Sequence, residues 1–174
     1  MGTSAPELDM SRQYPTNAML GYTTLLEMGM GDVENPDYVD VGEVTDLTIW
    51  DASRDTVEVT NHRSPNFSLE YIPGLIDFGS CSFELNAVPR FIADPQHPQG
   101  QLWDLFSSAG NSPWRITTPD GTIFTFLGSL TSFNLTAPVK DVMKASCEIS
   151  ISGGVNFTPA AGGGGGGVQF DSGI

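Results

Sequence analysis

The sequence predicts a mainly β domain, a β-sandwich or open barrel with one flanking α-helix. Three observations lead there. Short runs alternate apolar and polar residues or are rich in β-branched side chains, with glycine and proline punctuating them. A single stretch has helical apolar spacing. Strand-like runs lie on both sides of that stretch, which suits a small sandwich or barrel covered by one helix. At 174 residues the chain has the size of one domain.

The elements follow in order. Residues 1–20 are polar, contain Pro6 and Pro15, show no clear period and read as an N-terminal arm. The folded domain is expected over 21–158. It opens with a strand in "YTTLLEMG" (22–29), closed by Gly29 and Gly31. "YVDVGEVTDLTI" (38–49) has the β-branched content of one long strand. Residues 50–67 mix charges with Pro65 and read as a long excursion holding at most a short strand at 56–60; loops of that length usually carry function. In "SLEYIPGLIDFGSCSFELN" (68–86), Pro73–Gly74 reads as a corner and Ser80–Asn86 as a strand. "VPRFIADPQHPQGQ" carries three prolines and is expected to be irregular. "GQLWDLFSSAG" (100–110) is the helix, with Leu102, Leu105 and Phe106 on one side and Gly110 as its stop. Two strands flank the Pro119–Asp120–Gly121 turn, and a last one ends near 153. Residues 159–174 read as a flexible glycine-rich tail.

The charge is lopsided. There are 21 acids against 7 bases, a net of −14, and residues 1–90 hold 15 of the acids. A reader of DNA needs a basic footprint, so that class is disfavoured. A protein that must lie near DNA without holding it is compatible with such a surface, as is a merely soluble acidic one. Cys81 and Cys147 are too few for a disulfide framework and alternate with polar neighbours, as small buried side chains do. No signal-peptide pattern opens the chain, and no apolar run nears the roughly 18 residues of a membrane span. The chain therefore reads as made and used in a reducing cytoplasm, or released from it without a secretion signal, with no membrane partner.

A search for chemistry yields no catalytic, cofactor-binding or metal site. His62 lies in the charged excursion and His97 between Pro95 and Pro98, neither within a nucleophile–base pattern. Cys81, Cys147, His62 and His97 are scattered singly, unlike zinc ligands. Asp32, Glu34, Asp37 and Asp40 miss the EF-hand spacing and enclose Pro36. Gly162–Gly167 fits the dinucleotide-binding glycine pattern formally, but no apolar strand leads into it. The absence of a site shifts weight toward a structural or binding role.

Two strands carry matching faces. In the first, Cys81, Phe83 and Leu85 alternate with Ser80, Ser82 and Glu84; in the second, Ala145, Cys147, Ile149 and Ile151 alternate with Ser146, Glu148, Ser150 and Ser152. The polar faces hold no lysine or arginine, and Lys140 and Lys144 flank a turn. Ordinary solvent faces mix long charged side chains. The faces read either as plain solvated sheet or as a smooth, mildly negative wall. Unblocked sheet edges would let copies add head to tail, into rings or helices.

At this point a resemblance enters. "FSLEYIPGLIDFGSCSFELN", preceded by "GYTTLLEMG" and "YVDVGEVTDL" and followed by "WRITTPDGTIFTFLGSLTSFNLTAPVKDVMKASCEISISG", is similar in order and content to the tail tube proteins of long non-contractile-tailed bacteriophages, over roughly residues 20–157. The resemblance implies hexameric rings stacked into a hollow tube that conducts viral DNA without binding it. It also implies a tape-measure protein inside the tube and terminator and distal tail proteins at its ends. It makes Ser80, Ser82, Glu84, Ser146, Glu148 and Ser150 lumen-lining candidates. The excursion at 50–67 becomes an inter-ring loop, with Trp50, Arg54, Arg63 and Phe67 as contacts. A gene transfer agent or domesticated prophage fits the same resemblance. The runner-up is a monomeric β-sandwich module binding carbohydrate or protein through an aromatic platform, for which Trp50, Trp103 and Trp114 are the available tryptophans.

Overall fold

The computed structural model describes residues 21–161. The expected arm at 1–20 lies outside the described residues, as does most of the expected tail at 159–174. Nine strands and two helices follow one another: β1 (Leu25–Met30), β2 (Asp37–Asp40), β3 (Val44–Thr48), β4 (Ser53–Glu58), β5 (Tyr71–Asp77), β6 (Ser80–Asn86), α1 (Pro89–Ile92), α2 (Pro98–Ser108), β7 (Ser112–Thr117), β8 (Ile123–Thr136) and β9 (Lys144–Thr158). Seven strands form one antiparallel sheet in the order β2-β1-β7-β8-β9-β6-β3, while β4 and β5 form a separate ribbon.

The outer strands of this sheet are consecutive in the chain. Flat, seven strands would part β2 from β3 by about 29 Å, yet Val41–Glu43 spans at most about 14 Å. The sheet therefore curls into an open barrel. Val41 N–H donates to the Leu26 carbonyl at 3.0 Å, and Glu43's carbonyl accepts from Asn86 N–H at 3.0 Å. One residue, Gly42 at φ +112°, separates the two edges, a conformation open to glycine and strained for other residues. The single strand expected over 38–49 is thus two strands on opposite edges.

Curling encloses the apolar faces. Trp114, Ile116, Leu26, Met28, Leu85 and Ile149 are almost fully buried. The helix α2 closes the core with Leu102, also buried, and with Phe106, whose ring lies 6.5 Å from Phe133 on β8. Its start is pinned to the end of β6 by Gln99, whose side-chain amide donates to the Asn86 carbonyl at 2.8 Å and accepts from Val88 N–H at 3.0 Å.

The proline-rich linker is more regular than expected. Pro89 and Pro98 occupy the first turns of α1 and α2, where a missing N–H costs nothing. At the other end α2 stops one residue before the expected glycine: Ala109 takes the left-handed conformation, φ 52°.

The excursion also differs. The stretch 50–67 holds β4, whose partner β5 begins at Tyr71, so the projecting element runs from Ser53 to Asp77. Pro73 and Gly74 do not form a corner but lie within β5, Pro73 opposite Thr56 beside a register shift, a place where a strand tolerates proline.

Candidate functional site

Register turns the matching faces into one surface. Ser80 lies opposite Ser150, Ser82 opposite Glu148 and Glu84 opposite Ser146. The six residues singled out from sequence are therefore three cross-strand pairs on one side of β6 and β9. The same side extends to Thr48 and Asp46 on β3, opposite Ser82 and Glu84. On β8 it extends to Ser132 and Asn134, opposite Glu148 and Ser146. These outer residues went unnoticed, although Ser132, Asn134 and Thr136 alternate with Phe133 and Leu135 in the readable way.

One expectation is corrected. Lys144 is not outside the strand but its first residue, two positions before Ser146 and so on the same face. Its ammonium lies 3.5 Å from the Glu84 carboxylate, which also accepts a long hydrogen bond, 3.4 Å, from the Ser146 hydroxyl. The pair is solvent-accessible and contributes at most about 1 kcal/mol to stability. Its electrostatic effect is local: the lysine on this face faces a carboxylate.

Farther along the sheet, between β1 and β7 and also on the side away from the core, Arg115 donates to both carboxylate oxygens of Glu27, at 2.6 and 2.7 Å, and lies over the Tyr38 ring at 4.1 Å. The hydrogen bonds to Glu27 raise the Arg115 pKa, so this guanidinium stays charged and occupied within the fold.

The ribbon presents different chemistry. Val57 and Ile72 face each other across it, about half exposed, while Tyr71 and Leu75 lie on its other side at 55% and 90% exposure. An isolated two-stranded hairpin is marginal in water, and apolar residues on both of its faces call for a cover. The four proposed contacts do not converge. Trp50 sits at the root, half-buried, with its ring 5.0 Å from Phe124 and 5.6 Å from Phe157. Arg54 is exposed on β4, Arg63 is exposed near the tip, and Phe67 closes a short 3-10 turn there.

Nothing among the described residues assembles into a reactive centre. No group of three or more His, Cys, Asp or Glu is placed to hold a metal. His97 caps α2, its Nδ1 accepting from Gln99 N–H at 3.2 Å, and stacks on Phe91. His62 is exposed on the ribbon loop. Burial pushes the thiols of Cys81 and Cys147 up to about 12, far from a nucleophile's range. The tryptophans form no platform, since Trp114 is buried and Trp50 and Trp103 each pack on two other rings. No described helix is long and apolar enough to cross a membrane.

A curled sheet with one small polar face, a covering helix and a projecting ribbon with exposed apolar side chains fits the class of structural proteins. The chain belongs to the lambda phage tail tube protein family, whose model matches residues 22–158. Its role is that of a structural component of a tail tube. The fold is shared with the tail of an empty gene transfer agent particle solved with C6 symmetry (TM-score 0.64, 14% identity, 81% of this chain and 99% of that one). It is also shared with the sheath/tube terminator structure of an extracellular contractile injection system (0.60, 12%, 83% and 99%). The SPP1 tail tube is a third neighbour (0.60, 10%, 82% and 80%). Among curated proteins, none matches the sequence.

Proposed function

We propose that the chain forms six-membered rings that stack into a hollow tube conducting viral DNA into the host, and that the face of β8, β9, β6 and β3 lines the bore. The observation that carries this reading is the contiguous face itself. Its β6 and β9 part consists of Ser80, Ser82, Glu84, Ser146, Glu148 and Ser150, with Lys144 beside a carboxylate. Short hydroxyl side chains leave the passage smooth, and net negative charge repels phosphate, so DNA slides without being held. The C6 symmetry of the gene transfer agent tail supports the ring number.

In this reading the ribbon reaches the next ring, with Trp50 bracing its root and Arg54, Arg63 and Phe67 meeting the neighbour. The tube encloses a tape-measure protein, is capped by terminator and distal tail proteins, and is assembled in the host cytoplasm. The chain performs no catalysis and needs no cofactor. Averaged electron micrographs of the purified protein, alone and with its tape-measure partner, test the assembly. Six-fold rings or tubes are expected; a strict monomer under all conditions contradicts it.

A further inference from the structure

We propose that the seat for the β4–β5 ribbon is the β8–β9 turn, residues 137–143, of a second copy of this chain. The proposal rests on the tube reading and supplies the receiving surface.

The two features lie at opposite ends of the same strands. Both legs of the ribbon join the sheet where β3 ends and β6 begins, with Thr48 opposite Ser82 and Ser80 opposite Ser150. The turn joins it at the other end of β6, where Asn86 lies opposite Lys144. Six residue steps along β6 separate these ends, about 20 Å. Copies stacked along the strand direction therefore bring the ribbon of one against the turn of the next.

The surfaces match in chemistry. Val139 is fully exposed at the turn and Val142 is 55% exposed, an apolar knob opposite in position to the uncovered Leu75 of the ribbon. Charge bears on one residue. Lys144 is engaged by Glu84 and the turn holds Lys140 beside Asp141, whereas the ribbon strands carry Asp55, Glu58 and Asp77 against one base, Arg54, so Lys140 is the base placed to meet an acidic ribbon. Because ribbon and turn are different patches, the contact is heterologous and repeats from copy to copy instead of closing a dimer. That is the contact a growing stack requires.

Crosslinking tests the assignment. Leu75→Cys and Val139→Cys are placed in one chain, tubes are assembled and verified by electron microscopy, and a short bismaleimide is added. The native thiols are buried and give little background. The expected result is a denaturing-gel ladder extending beyond the subunit number of one ring, with each single-cysteine variant remaining monomeric. Normal tubes in which the double variant stays monomeric, or in which Leu75→Cys alone crosslinks, overturn the proposal. A parent chain that forms no rings overturns the tube reading itself, which microscopy reveals before any crosslinker is added. Lys140→Glu provides a reading that needs no cysteine: rings should form as before while stacking weakens at low salt and recovers at high salt. Unchanged stacking overturns the proposal.

Discussion

The ring of Phe83 on β6 lies 6.4 Å from the indole of Trp114 on β7, although β9 and β8 stand between those strands in the sheet. Only a curled sheet allows this. The apolar side faces inward around the pair, and the Ser–Glu side becomes the outer, convex face.

Phe83→Ala should therefore cost more than a surface contact. A cavity beside a fully buried tryptophan is expected to destabilise the fold by about 3–5 kcal/mol. Urea unfolding checks the loss, and native tryptophan emission should shift to the red. A change below about 1 kcal/mol would mean that the two faces do not meet.

The ribbon depends on Gly79. This residue has φ +67°, and an added Cβ would strike the Asp51 carbonyl oxygen at the ribbon's root. Gly79→Ala should cost about 2 kcal/mol or more, from left-handed strain plus the clash, and should raise protease cleavage within 53–77 ahead of cleavage in the sheet. Equal susceptibility throughout would show that the ribbon and sheet share one fate.

The turn between β7 and β8 gives a pH dependence of defined sign. The Thr118 hydroxyl, then the Thr122 backbone N–H and hydroxyl, hold the Asp120 carboxyl below its ordinary 3.8. A depressed carboxyl contributes stability that is fully present above its unfolded value and lost as pH falls through its folded one. Asp120→Asn should lower the melting temperature at neutral pH, and the gap to the parent should close as pH falls below the ordinary carboxyl value and through the depressed one. A gap independent of pH would remove the carboxylate from this role.

What could be read in the sequence tracks which side chains are sorted by burial. Cys81–Phe83–Leu85 and Ala145–Cys147–Ile149 alternate because one side is core and the other is not, so β6 and β9 were legible along with their shared polar face. α2 was legible through Leu102, Leu105 and Phe106. The break at Gly42 was not, since Val41 and Val44 look alike on either side of it; only the opposite hydrogen-bond partners of Val41 and Glu43 reveal that the strand changes edges. The ribbon was not legible as a ribbon, because Val57, Ile72 and Leu75 are apolar yet exposed, and a pattern based on burial has nothing to sort them by. Lys144 reads as flanking the turn, which it does, but its place as the first residue of β9 on the polar face, and with it the ion pair to Glu84, was not legible.

The central claim is that the convex face of β6 and β9 lines the bore, and the rate of DNA ejection tests it most directly. Particles carrying Glu84→Lys with Glu148→Lys should assemble tubes of normal length, because both side chains lie on the outer face of the sheet, away from the core. Lysines lining the bore would bind phosphate, so ejection should slow several-fold, and the slowing should shrink as salt rises. Ejection at the parental rate from correctly assembled particles would contradict the assignment of this face to the lumen.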